Sequence, residues 1–176
     1  MDKLLEYFFK EPEREFHVRE LAKLVKKSPT TVSKYLKQFE YKKYLLSEKK
    51  LNHLLFKANS ESSSFKYLKL FSNIKKLHES GLLTSLIEEF NHPKAIILFG
   101  SFSKGEDIAD SDIDLLIITP IKKEINLLKF EKVLDHKIQL FQYSDKEMGV
   151  MKSKNKELIN SWINGVVLNG YWELFK

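Results

Sequence analysis

Residues Leu98 to Thr119 read LFGSFSKGEDIADSDIDLLIIT, and this stretch decides the fold. It begins in an apolar, β-rich run, Lys94 to Phe99 (KAIILF), whose length and character predict a buried strand. The run breaks at Gly100-Ser101, and a loop with a short helical turn follows. A second apolar run, Leu115 to Thr119, opens behind Ser111-Asp112-Ile113-Asp114. Asp112 and Asp114 are two apart at the mouth of that strand, so alternation projects both carboxylates from one face, with Cα atoms about 6.5–7 Å apart. Ile113 points the other way, into the core. Two carboxylates so placed can converge on one or two hard cations. Gly100 lets the backbone turn tightly and approach a phosphate, Ser101 adds a hydroxyl donor, and Gly105 frees the following loop. The assembly is suited to a nucleoside triphosphate with Mg2+.

With this spacing and strand context, Gly100-Ser101, Gly105 and Ser111-Asp112-x-Asp114 resemble the pattern of the DNA polymerase β-like nucleotidyltransferase superfamily. The likeness is strongest to its small minimal and kanamycin nucleotidyltransferase-like members, and it covers roughly residues 81–145. It implies a mixed sheet with flanking helices. It implies transfer of a nucleoside monophosphate from ATP or another nucleoside triphosphate to a hydroxyl, with pyrophosphate leaving. Asp112 and Asp114 would be the catalytic ligands of Mg2+ (or Mn2+), with Gly100, Ser101, Gly105 and Ser111 at the nucleotide. The family also supplies a third carboxylate, as metal ligand and general base, from the middle of a strand that follows a helix. Here the expected helix is Lys122 to Leu134 and the strand Lys137 to Gln142 (KIQLFQ), whose central residue is Gln139. A glutamine carbonyl can ligate a metal but cannot accept a proton as a carboxylate does. Asp135 could replace it only by a register slip of four residues. Nucleotide binding is therefore expected to survive and transfer to be slow or absent. Proteins of this type are often antitoxins that modify hydroxyl side chains of a helical ribonuclease toxin, so the resemblance names a toxin or other protein acceptor as a candidate partner.

The first half has a different character. The chain's net charge of +6 is uneven, because residues 1–80 carry +8 and residues 81–176 carry −2. Residues 21–57 alone hold ten Lys against Glu40 and Glu48. Helical spacing is expected over Asp2 to Lys10 and Val18 to Lys27. Ser28 is a good N-cap and Pro29 a good first residue for a third helix, Pro29 to Phe39. That helix turns Val32, Tyr35, Leu36 and Phe39 to one face and presents Thr30, Thr31, Ser33, Lys34 and Lys37 on the other. Strands are expected at Tyr44 to Leu46 and Leu54 to Phe56, around a polar turn from Ser47 to His53. Residues 14–59, above all HVRELAKLVKKSPTTVSKYLKQFE, resemble bacterial and archaeal winged helix-turn-helix regulators. The resemblance implies double-stranded DNA as a partner, with the Pro29 helix in the major groove and Lys49, Lys50 and His53 on a wing. The alternatives are a solvated lysine face and a protein-binding module. No Arg lies in the reading segment, so strong guanine specificity is not expected. His17 and His53 have no companion at ligand spacing, which argues against zinc.

Composition sets the outer limits. With 43% hydrophobic and 31% charged residues the chain can build packed cores. It has no cysteines, which excludes disulfides and thiolate chemistry and fits a reducing, cytoplasmic setting. No apolar run is long enough to span a bilayer, and the N-terminus lacks signal-peptide features. The expected fold class is α+β, an N-terminal winged helix-turn-helix over residues 1–60, a helical linker over 61–80, and a mixed-sheet nucleotidyltransferase-fold domain over 81–176. Ser62-Ser63-Ser64 is expected as a short hinge. The C-terminal segment, with Leu158, Ile159, Trp162 and Ile163 at helical spacing, either closes the second domain or forms a homodimer surface, and its aromatics are expected to pack. Two functions stand side by side. One is a DNA-binding enzyme that transfers a nucleoside monophosphate. The other is a DNA-binding regulator or antitoxin whose degenerate second domain senses nucleotide or binds a partner.

Overall fold

The computed structural model describes residues 2–51 and 53–173, with only the backbone of Asp2. The chain divides into two compact units, Met1–Lys69 and Leu70–Lys176.

In the first unit, α1 (Asp2–Lys10) buries Leu4, Leu5, Phe8 and Phe9. After it come β1 (Phe16–His17), α2 (Val18–Leu24), α3 (Pro29–Tyr41), β2 (Leu45–Lys50) and β3 (His53–Ala58). The strands form an antiparallel sheet in the order β1-β3-β2. Ser28 caps α3 as expected, its side chain accepting the Thr31 N–H at 3.1 Å, with Pro29 in the first turn. Val32, Leu36 and Phe39 are buried. Helix α2 stops three residues before the expected Lys27, where Lys26 takes a left-handed φ of 54°, while α3 runs two past Phe39, to Tyr41. The expected polar turn at Ser47 to His53 is mostly strand. Ser47 through Lys50 pair with Phe56 through His53, and among the described residues the bend falls at Leu51, at φ 45°; Asn52 lies outside the described residues. Lys50 also pairs with Glu15 (2.6 Å) and Glu48 (3.2 Å) at the surface of this ribbon. The two-residue β1 was not foreseen. It buries Phe16, edge-on to Phe8 with ring centroids 5.1 Å apart.

Helix α4 (Ser63–Glu79) contributes Phe65 and Leu68 to the first core and Ile74 and Leu77 to the second. The triple serine is no hinge. Ser63 and Ser64 lie in the first helical turn, and the Ser62 carbonyl accepts the Lys66 N–H at 3.0 Å. Serine's preference for helix starts outweighs its loop character here.

The second unit is built on a mixed sheet, as expected, in the order β6-β5-β4-β7: β4 (Ala95–Phe99), β5 (Ile113–Ile118), β6 (Ile138–Tyr143) and β7 (Val166–Gly170). β5 and β6 run parallel, and the other pairs are antiparallel. α5 (Leu82–Glu89) packs Leu82, Leu83 and Leu86 against Ile96, Leu98, Leu115 and Ile117 on one side of the sheet. On the other side, Ile97, Phe99, Leu116 and Ile118 meet Met148 of α7 (Asp145–Lys154) and Ile159 and Trp162 of α8 (Lys156–Ile163). Trp162 is buried beside Phe99 and Tyr143, in the packing role expected of it. The C-terminal segment adds β7 to the edge of β4, which closes this unit's sheet.

The helix expected over Lys122 to Leu134 is only α6 (Leu128–Leu134). The Gln142 side chain holds the Lys123 backbone from both sides, accepting its N–H at 3.1 Å and donating to its carbonyl at 2.8 Å. Asn126 Oδ1 accepts the Leu128 N–H at 3.1 Å and marks the true start. Among the described residues, no helix is long and apolar enough to cross a membrane.

Candidate functional site

β4 and β5 bring the motif together. Phe99, the last residue of β4, pairs with Asp114 on β5. One residue later the chain turns at Gly100, with φ 70°. A Cβ built there would lie 2.3 Å from Asp114 Oδ2, so the dihedral favours glycine and a side chain at 100 would displace the carboxylate. A 3-10 turn (Phe102–Lys104) follows Ser101. The Ser101 carbonyl accepts from Lys104 N (3.1 Å) and Glu106 N (3.0 Å), and Ser103 Oγ donates to the Gly100 carbonyl at 2.8 Å. Gly105 closes the turn at φ 67°. The turn and the two carboxylates therefore meet at one end of the sheet.

The run from Ile108 to Asp112 is held from two sides. Ser111 Oγ accepts the Ile108 N–H at 2.9 Å, so this hydroxyl closes its own loop. His136 Nδ1 lies 2.8 Å from the Ser111 carbonyl, which can only accept, so Nδ1 carries the proton. The His136 ring also meets Phe102 edge-on at 4.8 Å.

β6 lies beside β5 with Gln139 in register with Asp114. Gln139 Nε2 donates to Asp112 Oδ2. Asp135 ends α6 in a left-handed conformation four residues earlier, and this register leaves it out of the third position. Burial first, and the neighbouring Asp112 second, raise the pKa of Asp114 above the ordinary carboxylate range. Such a pair disfavours two uncompensated negative charges. A hard cation would relieve it, and carboxylate oxygens are the donors that such an ion prefers. Among the described residues no group of three or more His, Asp or Glu side chains is placed to hold a metal. Two neighbouring carboxylates suit an ion that takes one or two protein carboxylates and completes its shell with phosphate oxygens and water, as Mg2+ does.

Sequence reading missed Asn73 of α4, which reaches this loop from 29 residues upstream of Phe102. It also missed His136. Neither carries a local signal, because the partners of each lie 25 or more residues away in sequence.

In the first unit, Thr30, Thr31, Lys34 and Lys37 of α3 are exposed and Ser33 is half-buried. Thr31 Oγ1 lies 2.8 Å from Ser28 Oγ within the cap. Lys34 and Lys37 share a shallow depression with Gln38, Tyr41 and Lys42, and Tyr41 is 89% exposed. Tyr41 was absent from the expected set because the helix was expected to stop before it. Lys49 and Lys50 are successive strand residues and so face opposite sides of the ribbon. Lys50 is engaged by Glu15 and Glu48. His17 caps α2, and its ring meets that of His53 at 5.0 Å, a spatial companion that sequence spacing concealed.

Residues 79–167, just over half of the chain, match the family model described as "Nucleotidyltransferase domain". No curated protein and no solved structure matches the chain.

Proposed function

The chain belongs to the nucleotidyltransferase domain family, and from that premise we propose that its second unit binds a nucleoside triphosphate with Mg2+ and transfers the nucleoside monophosphate to a hydroxyl acceptor. The observation that carries the reading is the approach of Gly100 to Asp114, which sets a glycine turn against a carboxylate pair. The turn at Gly100–Gly105 would receive the triphosphate, and Asp112 and Asp114 would hold the cation. When bound, the cation neutralises phosphate charge and eases the departure of pyrophosphate. In the transfer, the acceptor oxygen bonds to the α-phosphorus, the bridging oxygen to the β-phosphorus leaves with pyrophosphate, and the hydroxyl proton is lost. No carboxylate stands at Gln139 to take that proton, so it passes to solvent and the step is slow. Thermal shift with ATP and Mg2+ tests the reading. Wild type should be stabilised and Asp112→Ala/Asp114→Ala should not; equal shifts would remove the site.

The same Gln139 favours a second reading, in which the domain binds nucleotide as a signal and transfers nothing. The first unit enters both readings as a winged helix-turn-helix that binds double-stranded DNA. Support comes from the capped helix α3 behind α2, the β2–β3 ribbon, and the exposed Thr30, Lys34 and Lys37 on one helix. Lysines supply phosphate contacts rather than sequence reading.

A further inference from the structure

Two buried polar side chains take no part in the proposed chemistry. Asn73, on α4, is 6% exposed, and Asp107, in the loop between β4 and β5, is 5% exposed. Asn73 Nδ2 donates to Asp107 Oδ1 at 2.7 Å and to the Phe102 carbonyl at 3.3 Å. A primary amide nitrogen has two hydrogens, and here both go to one loop. Phe102 opens the 3-10 turn directly after Gly100-Ser101. Asp107 follows Glu106, whose N–H returns to the Ser101 carbonyl. One amide therefore grips the turn at both ends. Within the turn, the bonds from Lys104 and Glu106 to Ser101 and from Ser103 to Gly100 are short-range. Asn73 ties the turn to a helix distant in sequence.

Packing does not explain this pair. A buried carboxylate is costly even when hydrogen-bonded, and apolar residues of similar volume often serve stability as well. What apolar residues cannot do is hold the Phe102 carbonyl in one orientation. We propose that Asn73 and Asp107 are positioning residues for the nucleotide. They hold the Gly100–Glu106 turn in the conformation that receives the triphosphate, so binding does not bear the entropy of ordering it. The role rests on the reading of this turn as a phosphate site.

Three variants test it, with melting temperature, amide hydrogen exchange and calorimetric titration of Mg-ATP as readouts. In Asn73→Leu, exchange at Phe102 to Glu106 should quicken and the Kd for Mg-ATP should rise about tenfold, the scale of effect expected from a displaced turn. Asp107→Asn keeps an acceptor for Asn73 and should stay within about twofold of wild type on both readouts. Asn73→Leu/Asp107→Leu removes the tie from both sides and should bind Mg-ATP no better than Asn73→Leu. A double variant that melts and binds Mg-ATP like wild type would reduce the pair to packing and overturn the role. So would unchanged exchange in Asn73→Leu. A wild type that binds no Mg-ATP overturns the phosphate reading and this role with it. That outcome is distinct from failure of the role alone, in which wild type and variants bind alike.

Discussion

Gly100 and Asp114 stand so close that a single added carbon at residue 100 would come within 2.3 Å of a carboxylate oxygen. The contact joins the two halves of the motif, the turn that ends β4 and the acid that opens β5.

Gly100→Ala should therefore harm function through Asp114. The new Cβ strains a left-handed backbone and pushes the carboxylate aside. Stability should fall by about 1–3 kcal/mol. Mg-ATP affinity should fall about tenfold or more, since small misplacements at a reacting site are costly. Denaturant unfolding and calorimetry check the two effects separately.

Asp114→Asn should separate stability from function. Burial, with help from Asp112, raises the folded-state pKa of Asp114 above its ordinary 3.8. Folding thus favours the protonated form, a contribution present below the ordinary pKa and lost as pH rises through the raised one. In cation-free buffer at pH 7 the variant should melt above wild type, and the gap should narrow as pH falls toward 3.8. Melting curves at the two pH values measure this; a gap independent of pH would contradict the burial argument.

Gln139→Asp should gain what the chain lacks. A carboxylate in register with Asp114 adds a cation ligand and a proton acceptor. Bound Mn2+ counted by electron paramagnetic resonance should increase. Pyrophosphate release from Mg-ATP should rise by roughly 10²-fold, the lower end of what a positioned base contributes. An unchanged rate would favour the reading in which the domain only senses nucleotide.

DNA affinity measured against salt tests the first unit. A module using about four to six phosphates should give a log–log slope near −4 to −5, and Lys34→Ala and Lys37→Ala should each reduce it by about 0.9. Lys50→Ala should change it less, because Glu15 and Glu48 already engage that lysine. A flat salt response would leave the lysines as a solvated face.

Legibility in the sequence followed the range of the interaction that shapes each element. The start of α3 was readable because Ser28 and Pro29 act on the next few residues. The turn after β4 and the strand that carries Asp114 were readable because a tight turn and an apolar run need no distant partner. The start of α6 was not, since the Gln142 side chain, some twenty residues downstream, holds Lys123 out of helical geometry. The polar run Ser47 to Lys50 reads as a turn in sequence, and its strand character comes from cross-strand pairing with His53 to Phe56. His136 stayed hidden because it binds a backbone carbonyl, which has no sequence identity, and Asn73 because its partners Phe102 and Asp107 lie 29 and 34 residues away. Gln139 was located correctly, since the apolar pattern of β6 sets its register, but its bond to Asp112 emerged only from the paired strands.

Calorimetric titration of Mg-ATP into wild type and into Asp112→Asn/Asp114→Asn tests the nucleotide site most directly. The account predicts one saturable site in wild type and a loss of binding of at least about a hundredfold in the double variant, because charge-assisted metal contacts are removed together. Equal heats and equal affinities in the two proteins would contradict it.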